Sequence, residues 1–193
     1  SFSNLFGYSM PSELKKITFG STTVPSNYFS GWSNVEEIVL ENTTEIGSYA
    51  FNSCSSLKSI TLPSTLTTIN DWAFSYCSSL SSVVLPSSLS VIRAYAFYNC
   101  PSLMSIVLPS SLTSIESEAF ANCNKLYEIY NLSSLPLVKG SWEYGQVALK
   151  AKIIHTSLDE DPVSIIKTQE DIDIIRIGDE YLAVKYRGSN TEL

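Results

Sequence analysis

Charge is scarce in this chain. Asp, Glu, Lys and Arg together make up 16% of its 193 residues, so Ser and Thr must supply the polar surface that Lys and Glu supply elsewhere. Basic residues are scarcer than acids: 12 against 19, for a formal net charge of -7. A chain this acidic repels phosphate backbones and anionic lipid, which argues against nucleic acid or a membrane surface as partner. No apolar run approaches the length needed to cross a bilayer. The opening Ser1-Phe2-Ser3-Asn4 lacks both an initiating Met and a basic region followed by an apolar one, so the chain reads as a mature form or an excised piece.

Catalytic signatures are missing as well. There is no Gly-rich phosphate loop, no H-E-x2-H and no G-x-S-x-G. Histidine occurs once, and a nucleophile–base pair would need a cysteine or serine beside His155. Its flanks, Ile153, Ile154 and Leu158, suggest a structural strand position. The four cysteines do not come as the close pairs that bind zinc. Asp159, Glu160 and Asp161, with Glu170, Asp171 and Asp173, lack the spaced D-x-D-x-D-G form of a calcium loop and read as a solvated acidic segment. The expectation is no enzyme, no cofactor and no metal.

What is present is repetition. Cys54, Cys77, Cys100 and Cys123 are 23 residues apart, as are Phe51, Phe74, Phe97 and Phe120. Ile46, Ile69, Ile92 and Ile115 keep the same interval, and so do Leu57, Leu80, Leu103 and Leu126. One unit reads I-x3-A-F-x2-C-x2-L-x2-I-x-L-P-x2-L-x2. An earlier, weaker copy holds Phe29, Trp32, Val35, Ile38 and Leu40; Leu14, Ile17 and Phe19 match only the strand part. Terminal copies are atypical where one face has no neighbour to bury it.

The segment L-x2-I-x-L is short and rich in β-branched residues, so it predicts a strand. Pro63, Pro86 and Pro109 end it, because proline has no N–H to give to a ladder. Strands stacked in parallel about 4.8 Å apart make a ribbon of six, about 24 Å long. The I-x3-A-F stretch forms the return path, with phenylalanine as a central spine. The cysteines stack beside Phe and Leu as small buried hydrophobes, unbridged.

The unit A-F-x2-C-x2-L-x2-I-x-L-P resembles the BspA-like leucine-rich repeats of bacterial surface proteins. "AFNSCSSLKSITLP", "AFSYCSSLSSVVLP" and "AFYNCPSLMSIVLP" carry the resemblance, which covers about residues 5–132. It implies an α/β leucine-rich-repeat solenoid, a right-handed superhelix with a parallel strand ribbon. It also implies a cell-surface or secreted location and adhesion to host or neighbouring-cell proteins.

Residues 1–132 are therefore expected to form the array, with about six strand copies and four full repeats. Residues 133–193 differ in composition: residues 124–193 hold 11 of the 19 acids and 8 of the 12 bases. Ile172, Ile174 and Ile175, a Gly178-Asp179-Glu180 turn, and Leu182, Val184 and Tyr186 predict a hairpin. This β-rich segment reads as a cap over the last repeat's open edge, and also resembles the spacer between arrays in the BspA-like family. "SNTEL" at its end resembles the start of a new repeat, so a parent chain continuing past Leu193 is expected.

Two surfaces are candidates for binding. On the strand ribbon, Lys16/Thr18, Glu37/Val39, Ser59/Thr61, Ser82/Val84, Ser105/Val107 and Glu128/Tyr130 face outward as a nearly uncharged ladder with acids toward each end. Either it binds partners, as solenoid faces commonly do, or it is simply solvated. The second surface is the aromatic row Tyr49, Trp72 and Tyr95, with Tyr76 and Tyr98 nearby. It either packs on itself or offers anchors for a protein or a sugar ring. The reading is a monomeric adhesion module for extracellular or host proteins, matrix proteins included. A structural spacer and a carbohydrate-binding module are the alternatives.

Overall fold

The computed structural model describes residues 13–156 and the backbone of 172–177 and 180–186. Each turn of the coil takes about 23 residues, as the pairing of Val91 with Ser114 shows. A coil passes through a strand of one parallel ribbon, a proline turn, a two-residue strand of a second parallel ribbon, and a double turn that carries the Ala-Phe pair.

The first ribbon uses the predicted strands. β1 (Lys16–Phe19), β3 (Glu37–Leu40) and β5 (Ser59–Thr61) form one parallel sheet. β8 (Ser105–Leu108), β10 (Glu128–Asn131) and β11 (Ile153–His155) form another. The single six-stranded ribbon expected from the sequence is thus split in two. Between the halves, Ser82–Leu85 make only one bridge, Val84 to Val107. The inward column at this level reads Ile17 (partly buried), Ile38, Ile60, Val83, Ile106, Ile129, so Val83 is one methylene short of its neighbours. Ile60 and Val83 are 6% and 5% exposed, where Ile38 and Ile129 are sealed. The smaller side chain coincides with the open seam.

The second ribbon was not anticipated. β2 (Thr23–Val24), β4 (Glu45–Ile46), β6 (Thr68–Ile69), β7 (Val91–Ile92) and β9 (Ser114–Ile115) pair in parallel without interruption. Hydroxyls reinforce it. Thr67, Ser90 and Thr113 each donate to the carbonyl of Thr44, Thr67 and Ser90 in the preceding coil at 3.1 Å. Thr65, Ser88 and Ser111 do the same to Thr43, Leu66 and Leu89. Serine and threonine here satisfy stacked backbone as well as solvate the surface.

The expected α/β character is not met. Among the described residues the only helical piece is a short 3-10 segment, Tyr144–Gln146. The return path is instead a double turn with a left-handed residue at each bend: Tyr49 and Ser53, Trp72 and Tyr76, Tyr95 and Asn99, Glu118 and Asn122, all with φ between 55° and 63°. Residues of positive φ four apart leave no run of right-handed backbone in which a helix could nucleate. The amides of Phe29, Phe51, Phe74 and Phe97 donate to Ala50, Ala73, Ala96 and Ala119 of the following coil, at 2.7–2.8 Å.

The phenylalanine spine is as predicted. Phe29, Phe51, Phe74, Phe97 and Phe120 are buried and stacked, with centroids 5.1–5.2 Å apart and planes within 9°. All four cysteines are buried and unbridged. Each thiol also donates to a phenylalanine carbonyl of the preceding coil: Cys54 to Phe29, Cys77 to Phe51, Cys100 to Phe74 and Cys123 to Phe97, at 3.1–3.3 Å. At the C-terminal side, β11 pairs with β10, and Gly145 accepts the Phe120 amide at 2.8 Å. The predicted hairpin is present as β12 (Ile172–Ile177) antiparallel to β13 (Glu180–Tyr186). The acidic segment from Asp159 to Asp171, its turn at 178–179 and "SNTEL" lie outside the described residues.

Candidate functional site

The outward ladder on the first ribbon is formed by the alternation of β-strands, which sends Ile38, Ile60, Ile106 and Ile129 inward and their neighbours out. Ser59 and Thr61 are exposed, and Ser82, Val84, Ser105, Val107 and Glu128 are half-buried. The charged ends of the ladder are engaged rather than free. Lys16 pairs with Glu37 at 2.6 Å, and Glu36 with Lys58 at 2.6 Å and Lys15 at 3.6 Å. The Lys58 hydrogen bond and charge hold the Glu36 carboxyl below its usual range.

Tyr130 departs from the reading of an open face. It is 8% exposed, because β11 lays His155 over its ring with centroids 4.4 Å apart and planes 11° from parallel. Its hydroxyl donates to Glu128 Oε1 at 3.0 Å, and His155 Nε2 lies 3.1 Å from the same oxygen. Burial, with the Glu128 carboxylate beside it, pushes the Tyr130 phenol upward. His155 is thus part of a buried clasp between β10 and β11. Among the described residues no group of three or more His, Cys, Asp or Glu is placed to hold a metal ion.

The aromatic row is brought together as predicted, and it stacks. Tyr49 and Trp72 are 5.8 Å apart and 3° from parallel; Trp72 and Tyr95 are 4.2 Å and 6°. Tyr98 tilts against both Trp72 and Tyr95, and Tyr76 meets Tyr98 at 68°. Tyr95 donates to Glu118 Oε1 at 3.1 Å, which raises its phenol. The row nevertheless stays at the surface, with Tyr49 39% and Tyr76 43% exposed.

What the sequence does not reveal is the backbone beneath these rings. Tyr49, Trp72, Tyr95 and Tyr76 all have φ of 59–60°. The equivalent positions in other coils hold Asn27 and Glu118 at the first bend and Gly31, Ser53, Asn99 and Asn122 at the second; Asn and Gly are the residue types that best tolerate left-handed backbone. Bulky aromatics there cost about 1 kcal/mol each or more. Stacking returns about 0.5–1.5 kcal/mol per pair, so the cluster gains little stability from its own placement.

The sequence profile of the BspA type Leucine rich repeat region matches residues 22–141 in six copies, more than half of the chain. No curated protein matches the sequence. Among solved structures, the chain is similar to the leucine rich repeat protein TpLRR of T. pallidum, with 30% identity and a TM-score of 0.64 over 75% of this chain and 70% of that one. A leucine rich cell surface protein of Faecalibacterium prausnitzii is 26% identical with a TM-score of 0.59 over 77% of this chain, which spans 37% of that protein's length. The pneumococcal vaccine antigen PcpA, 21% identical over 77% of this chain and 43% of its own, shares the fold at a TM-score of 0.59. With its stacked Phe, Cys and Leu columns and six matching copies, the chain belongs to the family of BspA-type leucine-rich-repeat proteins.

Proposed function

We propose that this chain is a non-enzymatic recognition module of a bacterial surface protein, exported to the cell surface or secreted, and that it engages extracellular proteins of a host or a neighbouring cell through the first ribbon. The observation that carries this is the ladder Ser59, Thr61, Ser82, Val84, Ser105 and Val107: short, uncharged side chains on two paired strand sets, with Ser82 and Val84 at the seam between them. Such a face binds by shape and hydrogen bonds at low entropic cost, since it has few rotamers to freeze. A cell-surface location is supported by the family and by the similarity to the leucine rich cell surface protein of Faecalibacterium prausnitzii. The sealed thiols fit an oxidising exterior, because burial keeps them protonated and out of reach. A binding role is also supported by His155, whose ring is committed to Glu128 and Tyr130.

The test is surface plasmon resonance of the full chain against a panel of purified extracellular matrix proteins, with Ser82→Arg and Ser105→Arg as variants. Specific binding that falls at least tenfold in both variants, with unchanged melting temperature, is the expected result. No binding to any member leaves the array as a spacer, and binding indifferent to both variants moves the site off this ribbon.

A further inference from the structure

We propose that the aromatic cluster on the double-turn face is a binding site for a neutral carbohydrate, separate from the ribbon and independent of the protein-binding reading above. Stacking closes both faces of Trp72 and one face each of Tyr49 and Tyr95. The other face of Tyr49 looks along the column toward Asn27, the short side chain at the same position of the preceding coil. The column therefore ends at Tyr49, which is 39% exposed, and among the described residues no further ring stacks on it. Tyr76, one coil further along on the Trp72 side, is the most exposed ring of the cluster. The apolar C–H face of a pyranose packs on such a ring while its hydroxyls lie in plane, free to meet polar groups around it.

Polar groups are spread along the successive coils that carry the cluster. The side chains of Asn27, Asp71 and Asn99, and the hydroxyls of Tyr49, Tyr76 and Tyr98, make no hydrogen bond among the described residues. Amides, a carboxylate and phenols are donors and acceptors suited to sugar hydroxyls. The surroundings also select charge. Asp71 and Glu118 are acidic, and Arg93, two residues before Tyr95, is tied to Glu116 at 3.0 Å, so uronate or sialylated sugars are repelled. Four bulky aromatics on left-handed backbone, where Asn, Gly, Ser and Glu stand in other coils, mark residues whose placement local stability does not explain.

The same backbone supplies clean variants. Tyr49→Asn and Tyr76→Asn install the residue that the fold already carries at Asn27, Asn99 and Asn122, so both fold. The full chain is applied to a printed array of neutral oligosaccharides of glucose, mannose, galactose and N-acetylhexosamine units, with sialylated and uronate oligosaccharides alongside. The best neutral binder is then titrated by calorimetry. Retention of one or more neutral sugars is expected, with affinity at least tenfold lower in each variant, melting temperature within a few degrees, and Ser82→Arg without effect. The proposal is overturned if no neutral sugar is retained, if only anionic sugars are, if the double variant binds as tightly as the parent, or if the two tyrosines matter only for retention of a protein partner.

Discussion

A thiol is the smallest side chain that both fills an apolar column and donates one hydrogen bond, and each cysteine does both. Replacing Cys77 by alanine opens a small cavity and removes the thiol's hydrogen bond to the Phe51 carbonyl at 3.3 Å, leaving that carbonyl only the Cys54 amide, for a cost of about 1–2 kcal/mol. The thiols also set a pH dependence. Burial pushes Cys54 from 9.0 to about 12, and Cys77 and Cys100 well above 9.0. An unfolded thiol ionises near 8.5, so above that pH the unfolded chain sheds protons that the folded chain keeps. The stabilisation is fully present below the unfolded value and drains away as pH rises toward the folded one. Each buried thiol then removes up to about 1.4 kcal/mol per pH unit. Urea unfolding at pH 7, 9 and 10 in reductant checks this. Cys77→Ala starts lower at pH 7 and loses stability less steeply than the parent; parallel slopes would refute the burial argument.

At the scale of elements, the C-terminal end of the array depends on one glycine. Gly145 has φ +63°, and a Cβ there would meet Glu116 O at 2.6 Å, Ala119 Cβ at 2.7 Å and Ile115 Cγ2 at 2.8 Å. Glu116 O is backbone and Ala119 Cβ is fixed to it, so neither can swing aside. Gly145→Ala is expected to cost about 3 kcal/mol, from left-handed strain plus overpacking. Gly31→Ala, with φ +77° and open space around it, is expected to cost only about 1 kcal/mol for the strain. Equal costs in chemical denaturation would remove the role given to Gly145 as the close contact between β9 and the segment after it. This element also shows where sequence reading stops. The columns of Phe, Cys, Leu and Ile are legible because burial filters residue type at a fixed interval. The second ribbon is not, since two-residue strands carry no alternation, although Thr44, Thr67, Ser90 and Thr113 in register are its trace. The double turns were concealed because Tyr and Trp occupy bends where Asn and Gly would have announced them. The loss of Tyr130 from the open face was hidden too, because the strand that covers it follows a stretch, 136–152, with no repeat pattern.

For the whole molecule, stability is a sum over coils and the interfaces between them, because each coil touches only its neighbours. The phenylalanine spine is the contact common to every interface, and Phe74 stands between Phe51 and Phe97 at its middle. The first ribbon is already open at this level, since β5 has no partner on the side of Ser82–Leu85. Coupling between the two halves therefore falls on the second ribbon, the double turns and the spine. Phe74→Ala costs about 3–5 kcal/mol as a core deletion. Its further effect is to weaken both interfaces that Phe74 joins, so the halves lose their shared transition. Hydrogen exchange read by mass spectrometry is the suitable measurement, because it reports each coil separately. In the parent, the amides of Phe51 and Phe97 should open together with the global transition. In Phe74→Ala, the coils of Phe29 and Phe51 should open at a lower denaturant concentration than those of Phe97 and Phe120, which keep the clasp of β10 with β11. A variant that is merely less stable, with all coils still opening as one, would show that the second ribbon alone is enough to bind the array into a single cooperative unit.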